Sequence, residues 1–151
     1  MNISFMNLPI ASEYITGDYA WMSFKTYHEQ NYKGSIKWNW NYPIIDSNVD
    51  NIDELVDNII SQKPNVFGIS LYVWNIGLSL KVAEKVKSIL PDCIIVVGGP
   101  HIVYKENQNY FKDNWFIDFI CASDGYGEVF FNEFLYQLET DKNWNLVPYL
   151  V

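Results

Sequence analysis

FGISLYVWN (residues 67–75), IIVVGGPH (94–101) and FICASDGYGE (119–128) are the segments whose reading decides the fold of this 151-residue chain. Each is a short apolar run that ends in small or polar residues and leads towards a helical pattern. A parallel strand delivers its C-terminal loop to one edge of a sheet in this way, and open α/β sheets bind ligands at that edge. These three loops, with the loop after the first strand, are expected to form the floor of a ligand site.

The flanking sequence continues the alternation. Residues 2–8 read as a first strand ended by Pro9. Residues 18–31 read as an aromatic-rich helix, with Ala20, Phe24 and Tyr27 on one face and Trp21 and His28 beside it. Residues 35–42 alternate as a poor second strand, with Ile36, Trp38, Trp40 and Tyr42 on one side. The second helix is capped by Asn51 with Glu54 as its reciprocal partner. It carries the stripe Ile52, Leu55, Val56, Ile59 and Ile60, and Pro64 stops it. A third strand over 66–72 leads to a helix over 76–90 that turns Leu78, Val82, Val86 and Ile89 to the sheet. A fourth strand spans 93–97, a short helix 103–113 and a fifth strand 116–122. The last helix starts near Gly127 and carries Phe130, Phe131, Phe134, Leu135 and Leu138.

Strands alternating with helices predict an α/β, Rossmann-like domain over residues 1–140. Its five-stranded parallel sheet takes the flavodoxin-like order 2-1-3-4-5, with helices on both faces and the switch point between strands one and three. Residues 141–151 hold Trp144, Val147, Tyr149, Leu150 and Val151, too apolar for a free tail. They are expected to pack on the domain or to lead into a missing C-terminal region.

Composition narrows the function classes. The net charge is −8, from 10 basic and 18 acidic residues with no basic cluster, so nucleic acid and anionic membranes are repelled. No apolar run reaches the ~18 residues of a membrane span. Residues 1–9 lack the basic start and apolar core of a signal peptide, so a cytoplasmic protein is expected. Aromatics make up 17% of the chain, enough that some rings are expected to line a ligand or a partner. Cys93 and Cys121, the two cysteines, read as buried thiols. They are too few for a cluster held by three or four thiolates.

Several residues admit two readings. Gly98-Gly99 suits a tight turn needing positive φ, or close approach of a ligand to the backbone. Ser70 is small and polar in a bulky strand; it bonds a neighbouring carbonyl or leaves room for a ligand. Trp74 lies over the sheet edge, either covering it or packing under a flat ligand, while Asn75 reads as the cap of the third helix. The run Asp124-Gly125-Tyr126-Gly127-Glu128 either wraps a polar ligand group or simply caps the last helix. His28 reads as structural; His101 follows the Gly-Gly-Pro loop and sits near the site. No metal site is expected. G-x-G-x-x-G, the phosphate loop ending in G-K-[ST], the acidic pair of a receiver domain and a nucleophile–His–acid set are all absent.

GISLYVWN, then LPDCIIVVGGPH, then Gly-x-Gly-Glu at a helix start, in this order and spacing, resembles the N-terminal cobalamin-binding domain of cobalamin-dependent radical SAM enzymes. The resemblance covers residues 2–138 and is firmest over 66–128. It implies cobalamin held at the C-terminal strand edge, with its nucleotide tail threading beside the sheet. By that likeness Ser70, Gly98 and Gly99 leave space for the tail. Leu71, Tyr72, Val73, Trp74 and Asn75 lie near the corrin, with Pro100 and His101 following. Asp124, Gly125, Tyr126, Gly127 and Glu128 close the other side, and Asn7 and Pro9 form the remaining loop.

The Asp-x-His-x-x-Gly motif of His-on corrinoid proteins is missing, so the comparison implies no protein histidine on cobalt. The C-x-x-x-C-x-x-C motif is missing too. By that likeness the 4Fe–4S cluster and S-adenosylmethionine would belong to a longer parent, a methyltransferase, or to a catalytic domain supplied separately. Two rival readings stand beside this one. The first is a Rossmann-like protein-interaction module that has lost cobalamin; the second is a doubly wound domain for another ligand such as a nucleotide.

Overall fold

The computed structural model describes residues 1–8, 18–44, 51–102, 108–109, 113–122 and 125–151. Five parallel strands form one sheet in the order β2-β1-β3-β4-β5. They are β1 (Asn2–Met6), β2 (Asn39–Trp40), β3 (Val66–Ser70), β4 (Ile94–Gly98) and β5 (Phe119–Ile120). The helices bounded within the described residues are α1 (Asp18–Asn31), α2 (Ile52–Ser61), α3 (Ile76–Ile89) and α4 (Gly127–Glu139), with 3-10 turns at Pro100–Ile102 and Trp144–Leu146. The Rossmann-like order expected from the sequence is the order observed.

Each strand sends alternate residues to opposite faces. Met6, Phe67, Ile69, Ile95 and Val97 pack under α2 and α3. Ile3, Phe5, Val66 and Val96 pack under α4 and α1, against Phe130, Phe131, Phe134 and Leu135. Those four α4 side chains are at most 3% exposed, and burial of such a side chain is worth roughly 1.5–3 kcal/mol. Asn51 caps α2 by accepting from Asp53 N–H at 3.1 Å.

Several boundaries differ from the sequence reading. Pairing in β2 is limited to Asn39–Trp40. Trp38, Ile36 and Trp40 still join the core, while Tyr42 is exposed. On α1 the packed face runs through Trp21, Phe24 and His28 rather than Ala20, Phe24 and Tyr27. On α3, Ile89 is exposed and the small residues Ser79 and Ala83 are buried instead. Small side chains let that helix approach the sheet. The expected helix over 103–113 falls largely outside the described residues. The apolar end of the chain packs on the sheet. Phe119 meets Trp144 at 4.8 Å between ring centroids, and Cys121 forms an antiparallel bridge with Leu150.

Candidate functional site

A cleft of about 370 Å³ opens at the C-terminal ends of β1, β3 and β4, on the α1/α4 face of the sheet. This is the switch point of the doubly wound order, where loops diverge and leave a crevice. The strand register explains its depth. Phe5, Gly68 and Val96 lie side by side in one row, and Ser70 lies beside Gly98 one pleat further towards the rim. All five line the cleft, as do Asn7 and Cys121. The rim is therefore small and polar, and the inner row is apolar.

Glycines make this shape in different ways. A β-carbon on Gly98 would meet only Cys121 Cβ at 3.4 Å and the Cys121 carbonyl at 3.7 Å, so a side chain there would project into the cleft. Gly99 is another case. Its φ is +103°, and a β-carbon would lie 2.7 Å from the Leu71 carbonyl oxygen and 2.8 Å from the Leu71 nitrogen. The tight-turn reading of the Gly-Gly pair thus holds at Gly99, while Gly98 borders open space in the cleft.

The loop after β3 is braced from within. Trp74 Nε1 donates to the Leu8 carbonyl at 3.2 Å, and the Trp74 ring stacks on Tyr72 at 4.5 Å. Asn75 stands at the start of α3 but makes no side-chain cap bond. Its amide nitrogen donates to Leu8 and Ser70 carbonyls, and its Oδ1 accepts from Tyr72 N–H. The cap expected of Asn75 is replaced by a clamp between two strand ends.

The structure gathers Asn7, Ser70, Tyr72, Gly98, Gly99 and Pro100 on the cleft, with Gly125, Gly127 and Glu128 across from them. Leu71 points the other way and is fully buried in the α2/α3 core. Val73, Trp74 and Tyr126 are exposed beyond the lining residues, the last stacked on Tyr149. His101 lies in the 3-10 turn after Gly99, its N–H donating to the Leu71 carbonyl. Pro9 and Asp124 lie outside the described residues.

Sequence reasoning missed the wall opposite the sheet: Phe24 and Trp21 from α1, and Phe130 and Phe131 from α4. It also missed Phe5 and Gly68, where the glycine lets the Phe5 ring lie across β3. The aromatic excess was the one available signal.

Electrostatically the cleft is quiet. Among its described lining residues only Glu128 carries a formal charge, and no lysine or arginine is present. A polyphosphate ligand would find no cation among these lining residues, which disfavours the nucleotide reading. Burial pushes the Cys93 thiol up to about 12, so it stays protonated behind the sheet. Burial lowers the pKa of His28, which packs against Tyr32 and Trp40 in the core rather than in the cleft. Among the described residues no cluster of His, Cys, Asp and Glu is placed to hold a metal ion. No helix among them is long and apolar enough to cross a membrane.

Comparison with known proteins points the same way. A family model described as "B12 binding domain" matches residues 35–135. The chain is 32% identical over 125 residues to the cobalamin-dependent radical SAM methyltransferase TokK of Streptomyces tokunonensis, covering 82% of this chain and 17% of that protein. It is 31% identical over 117 residues to a 2-(S-pantetheinyl)-carbapenam-3-carboxylate methyltransferase of Streptantibioticus cattleyicolor, covering 78% and 16%. The chain thus spans about a sixth of the length of these curated relatives. Among solved structures, the cobalamin-dependent S-adenosylmethionine radical enzyme OxsB with aqua-cobalamin and S-adenosylmethionine bound superposes with a TM-score of 0.73 at 16% identity. That match covers 99% of this chain and 20% of OxsB.

Proposed function

The chain belongs to the B12-binding domain family, and we propose that its cleft seats cobalamin, with the corrin at the strand-end rim and the nucleotide arm entering beside the sheet. The observation that carries this reading is the graded groove at the switch point. Gly98 and Ser70 keep the rim narrow in side chain and open in space, and Phe5, Phe24, Phe130 and Phe131 supply an apolar interior. A neutral, amide-rimmed macrocycle with an aromatic arm suits such a lining better than an anionic ligand does.

Each residue then has a physical task. Ser70 and Asn7 offer polar atoms at the rim, and Gly98 leaves the passage clear. The aromatic wall excludes water from the arm. Tyr72 and Trp74, stacked on one another above β3, stand where a flat ring would meet the loop. Neither histidine is among the described residues that line the cleft, which supports a reading without a protein imidazole on cobalt. Bound methylcobalamin supplies a methyl group for transfer, and the domain's share is orientation and exclusion of solvent. Cleavage of S-adenosylmethionine would fall to a radical SAM catalytic domain working with this one, which would carry the 4Fe–4S cluster.

The test is direct. The purified chain is mixed with hydroxocobalamin, desalted and examined by visible absorption. Retained corrin bands at one equivalent are expected; a colourless protein fraction would contradict the assignment.

A further inference from the structure

The cleft is layered, with an apolar inner row beneath a small, polar rim. The inner row of Phe5, Gly68 and Val96 lies two residues, roughly 7 Å, below the row of Ser70 and Gly98. Its strand backbone is already paired within the sheet. Over it stand three rings: Phe24 and Phe131 with centroids 5.6 Å apart, and Phe130 one position before. Phe5 meets Phe131 at 5.0 Å and Phe24 at 5.7 Å, so the rings form one continuous surface. None of these side chains carries a hydrogen-bonding atom. Among the described lining residues the Trp21 indole N–H is the one buried side-chain nitrogen or oxygen without a partner. It is a donor only.

We infer that this inner layer selects the base on the nucleotide arm of the corrinoid, admitting a benzimidazole and rejecting a purine. The inference rests on the cobalamin site proposed above. Dimethylbenzimidazole has apolar edges and one free ring nitrogen, an acceptor that a single indole donor satisfies. Adenine presents several ring nitrogens and an exocyclic amine, and the row of Phe5, Val96, Phe130 and Phe131 offers them nothing. A polar group buried without a partner costs enough to weaken binding roughly ten- to a hundredfold. Val96, 3% exposed at the centre of the inner row, is the residue assigned to this discrimination.

The experiment is equilibrium dialysis of the purified chain against hydroxocobalamin, its adeninyl counterpart and aquacobinamide, read by corrin absorbance. Hydroxocobalamin is expected to bind tightest, with the adeninyl corrinoid roughly ten- to a hundredfold weaker. Equal affinity for the two overturns the inference and leaves the cobalamin site standing. Cobinamide binding as tightly as cobalamin puts the base outside the cleft and overturns it as well. Binding of no corrinoid defeats the proposed function itself. Val96→Thr places a hydroxyl in the inner row at nearly constant volume. With the fold verified by circular dichroism, it should narrow the cobalamin-to-adeninyl ratio several-fold. An unchanged ratio removes Val96 from the role.

Discussion

The Asn75 side-chain amide donates to the Leu8 carbonyl at 3.2 Å, tying the end of β1 to the loop after β3 across the switch point. The same nitrogen reaches the Ser70 carbonyl at 3.1 Å, and Oδ1 accepts from Tyr72 N–H at 2.9 Å. Asn75 is 3% exposed, so its partners have little water to turn to. Asn75→Ala should cost about 1–3 kcal/mol, the penalty for orphaning buried polar groups. Urea unfolding checks this by a lowered midpoint, and corrinoid affinity should fall with it because both rim loops lose their tie. Trp74 keeps one bond to Leu8, so the loss stays partial.

Gly99 and Gly125 both have positive φ, at +103° and +92°, yet they differ in surroundings. A β-carbon at Gly99 runs into the Leu71 peptide, which is held by hydrogen bonds from Leu71 N–H to Gly98 and from His101 N–H to the Leu71 carbonyl. A β-carbon at Gly125 meets nothing within 4 Å. Gly99→Ala should therefore destabilise by about 1–3 kcal/mol, and Gly125→Ala by clearly less. Thermal melting of the two variants side by side gives the comparison.

His28 gives the fold an acid-sensitive point. Burial lowers its pKa below the ordinary 6.5, partly offset by Asn132 and Glu29. The unfolded chain therefore binds this proton more readily than the folded one, and stability falls as pH drops below about 6.5 towards the folded value. Above that range His28 is neutral in both states and contributes no pH dependence. Melting temperatures recorded between about pH 5 and 7.5 should decline on the acid side. His28→Phe should flatten that decline.

The order 2-1-3-4-5 was legible because buried parallel strands leave a plain mark. VFGIS and IIVVG are runs of apolar and small residues, each preceded within three positions by a proline, Pro64 and Pro91. The rim residues Ser70 and Gly98 were legible for the same reason, since they end those runs. The cleft's far wall was not. Phe24 and Phe131 meet the sheet through an α1/α4 contact between residues over 100 apart in sequence, made close by Gly127, whose β-carbon would strike Phe24 at 2.7 Å. Periodicity locates a helix face but not which pair of helices shares one side of the sheet. Asn75 stands at the helix start as read, but position and side-chain partner are separate facts: its amide bonds three loop groups instead of the helix amides.

Gly98 leaves the rim of the groove open, and one paired titration tests whether cobalamin passes there. Wild-type chain and Gly98→Val are dialysed against hydroxocobalamin after both are shown to melt at similar temperatures. A β-carbon at this position has no close backbone neighbour, so the fold should survive while the passage fills. The prediction is one bound corrinoid per wild-type chain and at least a tenfold loss of affinity in the variant, about 1.4 kcal/mol or more. Equal binding by a folded Gly98→Val chain would place cobalamin somewhere other than this cleft.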